Sequence, residues 1–193
     1  MMRGDNIETK KLVREYIPQN SIGAEIGVWK AKSSLNFLEK TKHLYLVDPW
    51  NFYVYDKEDT GWVNKQFNDM VEYNKPMTGA DNIEQTQEFV EQVYLNVCNI
   101  MKDKPVTIYR ETSDEWFSHF NETLDWIYID GDHSYDGCYN DLNNALNITK
   151  DFIFCDDYNV AHHEGVRFAI DDFCAENNLS PIPLYTNQCM IKL

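Results

Sequence analysis

Apolar positions along the chain change their spacing in a regular alternation. In "NIETKKLVREYI" (6–17) they recur at the spacing of one helix face, and "SIGAEIGVW" (21–29) follows as a buried strand that leaves through Gly27. "KSSLNFLEK" returns to helical spacing, "HLYLVD" (43–48) reads as a second strand and "VTIYR" (106–110) as a third. A short helix is expected around 113–119, then the strand "LDWIYID" (124–130), a helix from about 135 to 147, and the strand "FIFCDD" (152–157). The stretch 162–177 is a further helix with Val166, Phe168, Ala169, Ile170 and Phe173 as its apolar set. "PIPLYTNQCMIKL" closes the chain as two short strands with a hairpin turn around Thr186-Asn187. Strands alternating with helices imply a parallel sheet covered on both faces, and the closing hairpin supplies one antiparallel strand. The expected fold is a doubly wound, Rossmann-like α/β domain with a seven-stranded sheet.

One stretch breaks the alternation. Residues 49–81 are rich in aromatics yet interrupted by Gly, Pro and charges, and a long helical pattern, "NIEQTQEFVEQVYLNVCNIMKD" (82–103), follows them. An insertion after the second strand falls at the carboxyl edge of the sheet, where ligands bind in such folds. It reads either as a lid or as extra packing, including the surface of a homo-oligomer.

Composition narrows the class. A chain of 193 residues suits one domain, residues 1–193. The formal charge of -15 repels phosphate backbones and anionic lipid, so no nucleic-acid or membrane partner is expected. Five scattered cysteines without CxxC spacing suggest neither a disulfide framework nor a zinc site, and no apolar run has signal-peptide or membrane-span character. The expected setting is cytoplasmic, with reduced thiols.

The strand ends carry the chemistry. A dinucleotide loop needs G-x-G-x-x-G, and here Gly27 is followed by Val28, Trp29, Lys30 and Ala31, so a pyrophosphate ligand is disfavoured. Asp48 ends the second strand some twenty residues beyond Gly27, the separation at which a carboxylate accepts both hydroxyls of a ribose; with Glu25 and Gly27 it favours an adenosine ligand. Asp130 ends the fourth strand and Asp156 and Asp157 end the fifth. Adjacent strands would bring these acids together, and a hard cation such as Mg²⁺, Ca²⁺ or Mn²⁺ would neutralise them. His133, on the same turn as Asp130, titrates in the range of a general base. The structural alternative is that Asp132 and Ser134 cap the next helix while His133 is merely solvated. His162 and His163, near the end of the fifth strand, could also reach the cleft, although paired histidines opening a helix are more often on the surface.

The segments "AEIGVWKAKSS", "LYLVDPW", "IYIDGDHSYDG", "FCDDY" and "EGVRFAIDDF", in this order, resemble the class I S-adenosylmethionine-dependent methyltransferases. The resemblance is to the small-molecule O-methyltransferases that include the macrocin and mycinamicin sugar enzymes, and runs from about residue 21 to 177 without the insertion. It implies S-adenosylmethionine as cofactor, with Glu25 and Gly27 in the methionine-side loop, Asp48 on the ribose, and Ser113 near the adenine with help from Asp114. It implies Mg²⁺ on Asp130, Asp156 and Asp157, His133 as base, and a hydroxyl of a small molecule or sugar as acceptor. Trp50, Tyr53, Tyr55 and Trp62 could shield the reacting groups. The chain departs from the family pattern at "NITKD", where a Gly-Gly turn is usual before the fifth strand, and at Ala31, where glycine is usual. A nicotinamide oxidoreductase, a metal-dependent hydrolase and a non-catalytic domain on the same fold are the rival readings.

Overall fold

Side chains along the fourth strand alternate between two buried environments, and this alternation organises the molecule. Trp126 and Tyr128 pack on one side of the sheet, Ile127 and Ile129 on the other, and all four are buried. A computed structural model describes residues 7–55, 69–161, 163–184 and 187–193. Its helices are α1 (Ile7–Tyr16), α2 (Lys32–Phe37), α3 (Phe52–Tyr55), α4 (Met70–Thr78), α5 (Ile83–Met101), α6 (Ser113–His119), α7 (Tyr135–Ile148) and α8 (Glu164–Glu176). The strands are β1 (Ser21–Ile26), β2 (Thr41–Val47), β3 (Val106–Tyr109), β4 (Leu124–Ile129), β5 (Thr149–Cys155), β6 (Pro181–Leu184) and β7 (Gln188–Lys192).

The seven strands lie in the order β3-β2-β1-β4-β5-β7-β6. The first five are mutually parallel, and β7 runs antiparallel between β5 and β6. This is the expected doubly wound sheet with a single antiparallel strand in its terminal hairpin. Leu142, Ala145, Ala169, Ile170 and Phe173 of α7 and α8 cover one face. Val13, Phe37, Val90, Val93 and Val97 of α1, α2 and α5 cover the other. Burial on both faces explains why the strands read as continuous apolar runs.

Several expectations shift in detail. Phe168 is 56% exposed and does not belong to the inward face of α8, which is formed by Val166, Ala169, Ile170 and Phe173. The fifth strand begins at Thr149, three residues earlier than its apolar run, because α7 passes into it without a loop; Thr149 is both the C-cap of the helix and the partner of Leu124. Within the insertion, α3 and α4 are short helices, and Asp69 caps α4 by accepting the N–H of Glu72 at 2.8 Å. Trp62, the side chain of Tyr55 and Thr186 of the expected turn lie outside the described residues. Among the described residues no helix is long and apolar enough to cross a membrane.

Chain direction sets the place of the cleft. From β1 the chain turns one way to β2 and β3, then crosses over to β4 and β5 on the other side. Ile26 pairs with Ile129 and Ile129 with Cys155, so Gly27, Asp130 and Asp156 leave the sheet side by side. Open α/β sheets bind ligands in the crevice outside such a reversal of strand order.

Candidate functional site

Asp130 follows the last residue of β4, where its N–H donates to the carbonyl of Ile26 at 2.9 Å. The next turn is built by local polar side chains. Asp132 accepts the N–H of Ser134 at 2.8 Å, and Ser134 caps α7 by accepting the N–H of Gly137 at 3.0 Å. Ser134 thus does the capping that the structural alternative assigned to it, and Asp132 braces the cap residue instead of the helix. His133 between them is left free to reach across to the end of β5. Its Nε2 lies 3.1 Å from Oδ2 of Asp157 and 3.7 Å from Oδ1 of Asp130.

Asp157 holds its carboxylate there with a left-handed backbone, φ 57°, which a non-glycine residue rarely adopts. A second histidine meets the same oxygen, the Nε2 of His163 lying 3.5 Å from Oδ2 of Asp157. The two imidazoles stack with centroids 4.4 Å apart and planes 26° apart. His163 is only 7% exposed, in contrast to the surface position expected for the histidine pair; His162 is outside the described residues. It is fixed by the turn after β5, where its N–H donates to the carbonyl of Val160 at 2.9 Å. The sequence signal was its position just after the strand-end acids. Burial opposes charge on His133, but the carboxylates of Asp130 and Asp157 beside it outweigh that cost and hold the imidazolium well above the usual histidine range.

One oxygen of Asp156 is engaged elsewhere. Its Oδ1 accepts Nε2 of Gln188 from β7 at 2.6 Å and the N–H of Asp157 at 3.0 Å. The cavity at the ends of β4 and β5 is bordered by Asp130, His133 and Asp156, with Cys138, Cys155 and Val166 behind them. Among the described residues, the potential ligand atoms that lie within 4.8 Å of one another are two imidazole nitrogens and one carboxylate oxygen, of His133, His163 and Asp157. Mg²⁺ takes oxygen ligands in near-ideal octahedral geometry. The expected Mg²⁺ cage on Asp130, Asp156 and Asp157 does not fit this arrangement.

The acids near β1 and β2 hold the loops that frame the crevice. Glu25 is fully buried, and its two oxygens accept the hydroxyls of Ser33 and Ser34, which ties the first turn of α2 to β1. Asp48 is 4% exposed; one oxygen accepts the N–H of Trp29 at 2.9 Å and the other that of Trp50 at 2.7 Å. Trp50 is itself fully buried, donates Nε1–H to the carbonyl of Trp29 at 2.9 Å and packs on Tyr94, whereas Tyr53 is 52% exposed. Of the expected aromatic shield, Trp50 is thus a core residue that clasps the β1 and β2 loops. Replacing Asp48 by Ala leaves two N–H groups without their charged acceptor. The variant is expected to lose about 2 kcal/mol of stability, read as a lower urea midpoint; an unchanged midpoint would show that the clasp does not depend on Asp48.

Ser113 is the first residue of α6, whose start is fixed by a capping box between Thr112 and Glu115. Asp114 is engaged by Asn140. The side chain of Ser113 hydrogen-bonds Asp141 of α7, a residue only 1% exposed whose Oδ2 has no hydrogen-bond partner among the described residues. Burial pushes the Asp141 carboxyl up to about 7, against the Ser113 bond and with support from the charges of Asp114 and Asp132. The unfolded chain ionises this group first as pH rises, so its effect is to lower stability between about pH 4 and pH 7, by roughly 2–4 kcal/mol in total. Asp141→Asn is expected to be more stable than the native chain at neutral pH and to lose less stability across that interval. Parallel stability curves for the two proteins would contradict this.

A family model described as a methyltransferase domain matches residues 24–158 of this chain. A comparison with curated protein sequences found no match. Solved structures with the same fold include SMU.1697c of Streptococcus mutans, described as a methyltransferase and solved with SAH, at TM-score 0.60 and 10% identity over 100% of this chain and 99% of that one. The O-methyltransferase NovP is similar at TM-score 0.59 and 15% identity, over 96% of this chain and 78% of that one. TomG of Streptomyces achromogenes, an O-methyltransferase of tomaymycin synthesis solved with SAM, is similar at TM-score 0.54 and 10% identity, over 97% and 78%.

Proposed function

This chain belongs to the methyltransferase domain family, and on that premise we propose that it moves the methyl group of S-adenosylmethionine to a hydroxyl oxygen of a small molecule or sugar. The observation that carries the choice of a hydroxyl is the close pair His133 and Asp157, Nε2 and Oδ2 3.1 Å apart, placed at the sheet edge beside the reversal of strand order. An alcohol is a weak nucleophile while it keeps its proton, and an imidazole braced by a carboxylate is suited to take it. Support also comes from NovP and TomG, described as O-methyltransferases, and from the SAM or SAH held by TomG and SMU.1697c.

Bound S-adenosylmethionine supplies a methyl carbon on a positive sulfonium, whose sulfur leaves as a neutral thioether. The chain positions the partners of that transfer. The crevice between the ends of β1 and β4 takes the adenosyl group, with Gly27 allowing the first loop to approach β4. Glu25 reaches the cofactor only through the loop and α2 that it tethers. Each oxygen of Asp48 already accepts one N–H, and carboxylate oxygens can accept a second bond, here from a ribose hydroxyl. Ser113, at the start of α6, would meet the adenine. In its neutral form, which the neighbouring carboxylates confine to the alkaline side of the usual histidine range, His133 removes the acceptor proton, and Asp130 and Asp157 stabilise the imidazolium that results. In-line alignment of oxygen, methyl and sulfur is the remaining requirement.

The test is incubation with S-adenosylmethionine and a panel of sugars, catechols and other polyols, with products identified by mass spectrometry and the methylated atom located by NMR. S-adenosylhomocysteine and a methyl ether are expected. Methylation at nitrogen, or cofactor binding without turnover of any polyol, would contradict transfer to a hydroxyl.

A further inference from the structure

Two histidines and an aspartate converge at the mouth of the cleft in a pattern that base chemistry does not need. One imidazole with one carboxylate suffices to accept a proton, yet His163 is buried at 7% exposure and directed at the same Asp157 oxygen as His133. We propose that His133, Asp157 and His163 form a binding site for a divalent cation of borderline softness, such as Co²⁺, Ni²⁺ or Zn²⁺, in preference to Mg²⁺.

Geometry supports the site. Bonds of about 2.0–2.2 Å to nitrogen and oxygen put neighbouring ligand atoms about 2.8–3.1 Å apart in octahedral and about 3.3–3.6 Å apart in tetrahedral shells. The two nitrogen–oxygen separations are 3.1 and 3.5 Å, and all three ligand atoms lie within 4.8 Å of one another. Each ligand is held by something other than the ion. His133 sits between Asp132 and Ser134 on the β4 turn, Asp157 is aimed by its left-handed backbone, and His163 is fixed by its N–H bond to Val160. Asp130, 3.7 Å from the His133 nitrogen, adds negative charge beside the site.

Donor chemistry sets the preference. Imidazole nitrogen suits first-row transition ions, and Mg²⁺ takes oxygen ligands. Asp156, which an all-oxygen cage would recruit, is engaged by Gln188. Three protein ligands also leave a coordination position open, as in catalytic rather than structural sites. An ion bound here uses the Nε2 of His133, the atom that methyl transfer assigns to the acceptor proton, so the two uses exclude each other at any moment. The site itself rests on three side chains and not on the methyl-transfer reading, and either can fail alone.

The test uses the untagged, metal-stripped full chain and Co²⁺ as the probe. Saturable binding of one Co²⁺ per chain is expected, with visible absorption bands of nitrogen ligation and no displacement by a large excess of Mg²⁺. His163→Ala should weaken Co²⁺ binding more than about 100-fold, beyond the loss that outer partners of a metal ligand usually cause, with circular dichroism confirming its fold. Equal affinity for Mg²⁺ and Co²⁺, native-like Co²⁺ binding by His163→Ala, or no binding by the native chain would each overturn the proposal. The Co²⁺ and Mg²⁺ comparison needs only the native protein, so it stands even if the variant misfolds.

Discussion

Gly27→Ala is expected to destabilise the protein by more than about 4 kcal/mol, enough to consume much of the usual 5–15 kcal/mol stability of a domain. The residue has φ 82°, where a side chain is strained by about 1–2 kcal/mol before any contact is considered. A β-carbon there would also lie 1.8 Å from the carbonyl oxygen of Asp130 and 2.4 Å from its carbonyl carbon. Both atoms are backbone, so no rotamer change relieves the clash. The end of β4 would have to move away from β1, breaking the bond from the Asp130 N–H to Ile26 and displacing the His133 turn. Urea unfolding followed by circular dichroism measures this; a native midpoint would show that the two strand ends can separate at little cost.

His133→Asn is expected to lower kcat for methyl transfer by about 10²–10⁴-fold, the usual contribution of a positioned general base. Affinity for S-adenosylmethionine should not change, because His133 belongs to the β4–β5 edge and not to the loops of Glu25, Gly27 and Asp48 that frame the adenosyl crevice. The split between an altered kcat and an unaltered cofactor Kd separates loss of the base from a general collapse of the site. A variant that keeps the native rate with an identified acceptor would remove His133 from the chemistry.

The sheet was legible because its strands are buried on both faces. Apolar runs such as "LDWIYID" have no amphipathic alternation to mislead, and each ends in the residues that line the cleft. Contacts between distant strands were not legible. Gln188 of β7 reaches Asp156 across 32 positions, so nothing near Asp156 reveals that it is engaged. Asp48 reads from sequence as a ribose ligand, whereas its bonds to the N–H groups of Trp29 and Trp50 depend on how two loops fold together. His163 reads as a surface residue because helix starts are exposed in general; here the turn at Val160 folds it inward onto His133. Phe168 fails in the opposite sense, since an apolar residue at helical spacing carries no mark of which side of the stripe faces water.

Methyl transfer depends first on the cofactor, and calorimetric titration tests that dependence directly. The purified chain is titrated with S-adenosylmethionine, S-adenosylhomocysteine and, for comparison, NADH. Micromolar, saturable binding of both adenosyl ligands and none of NADH is the predicted result. Binding of NADH, or of neither adenosyl ligand, would contradict the account and leave the His133, Asp157 and His163 cluster to be explained as a metal site alone.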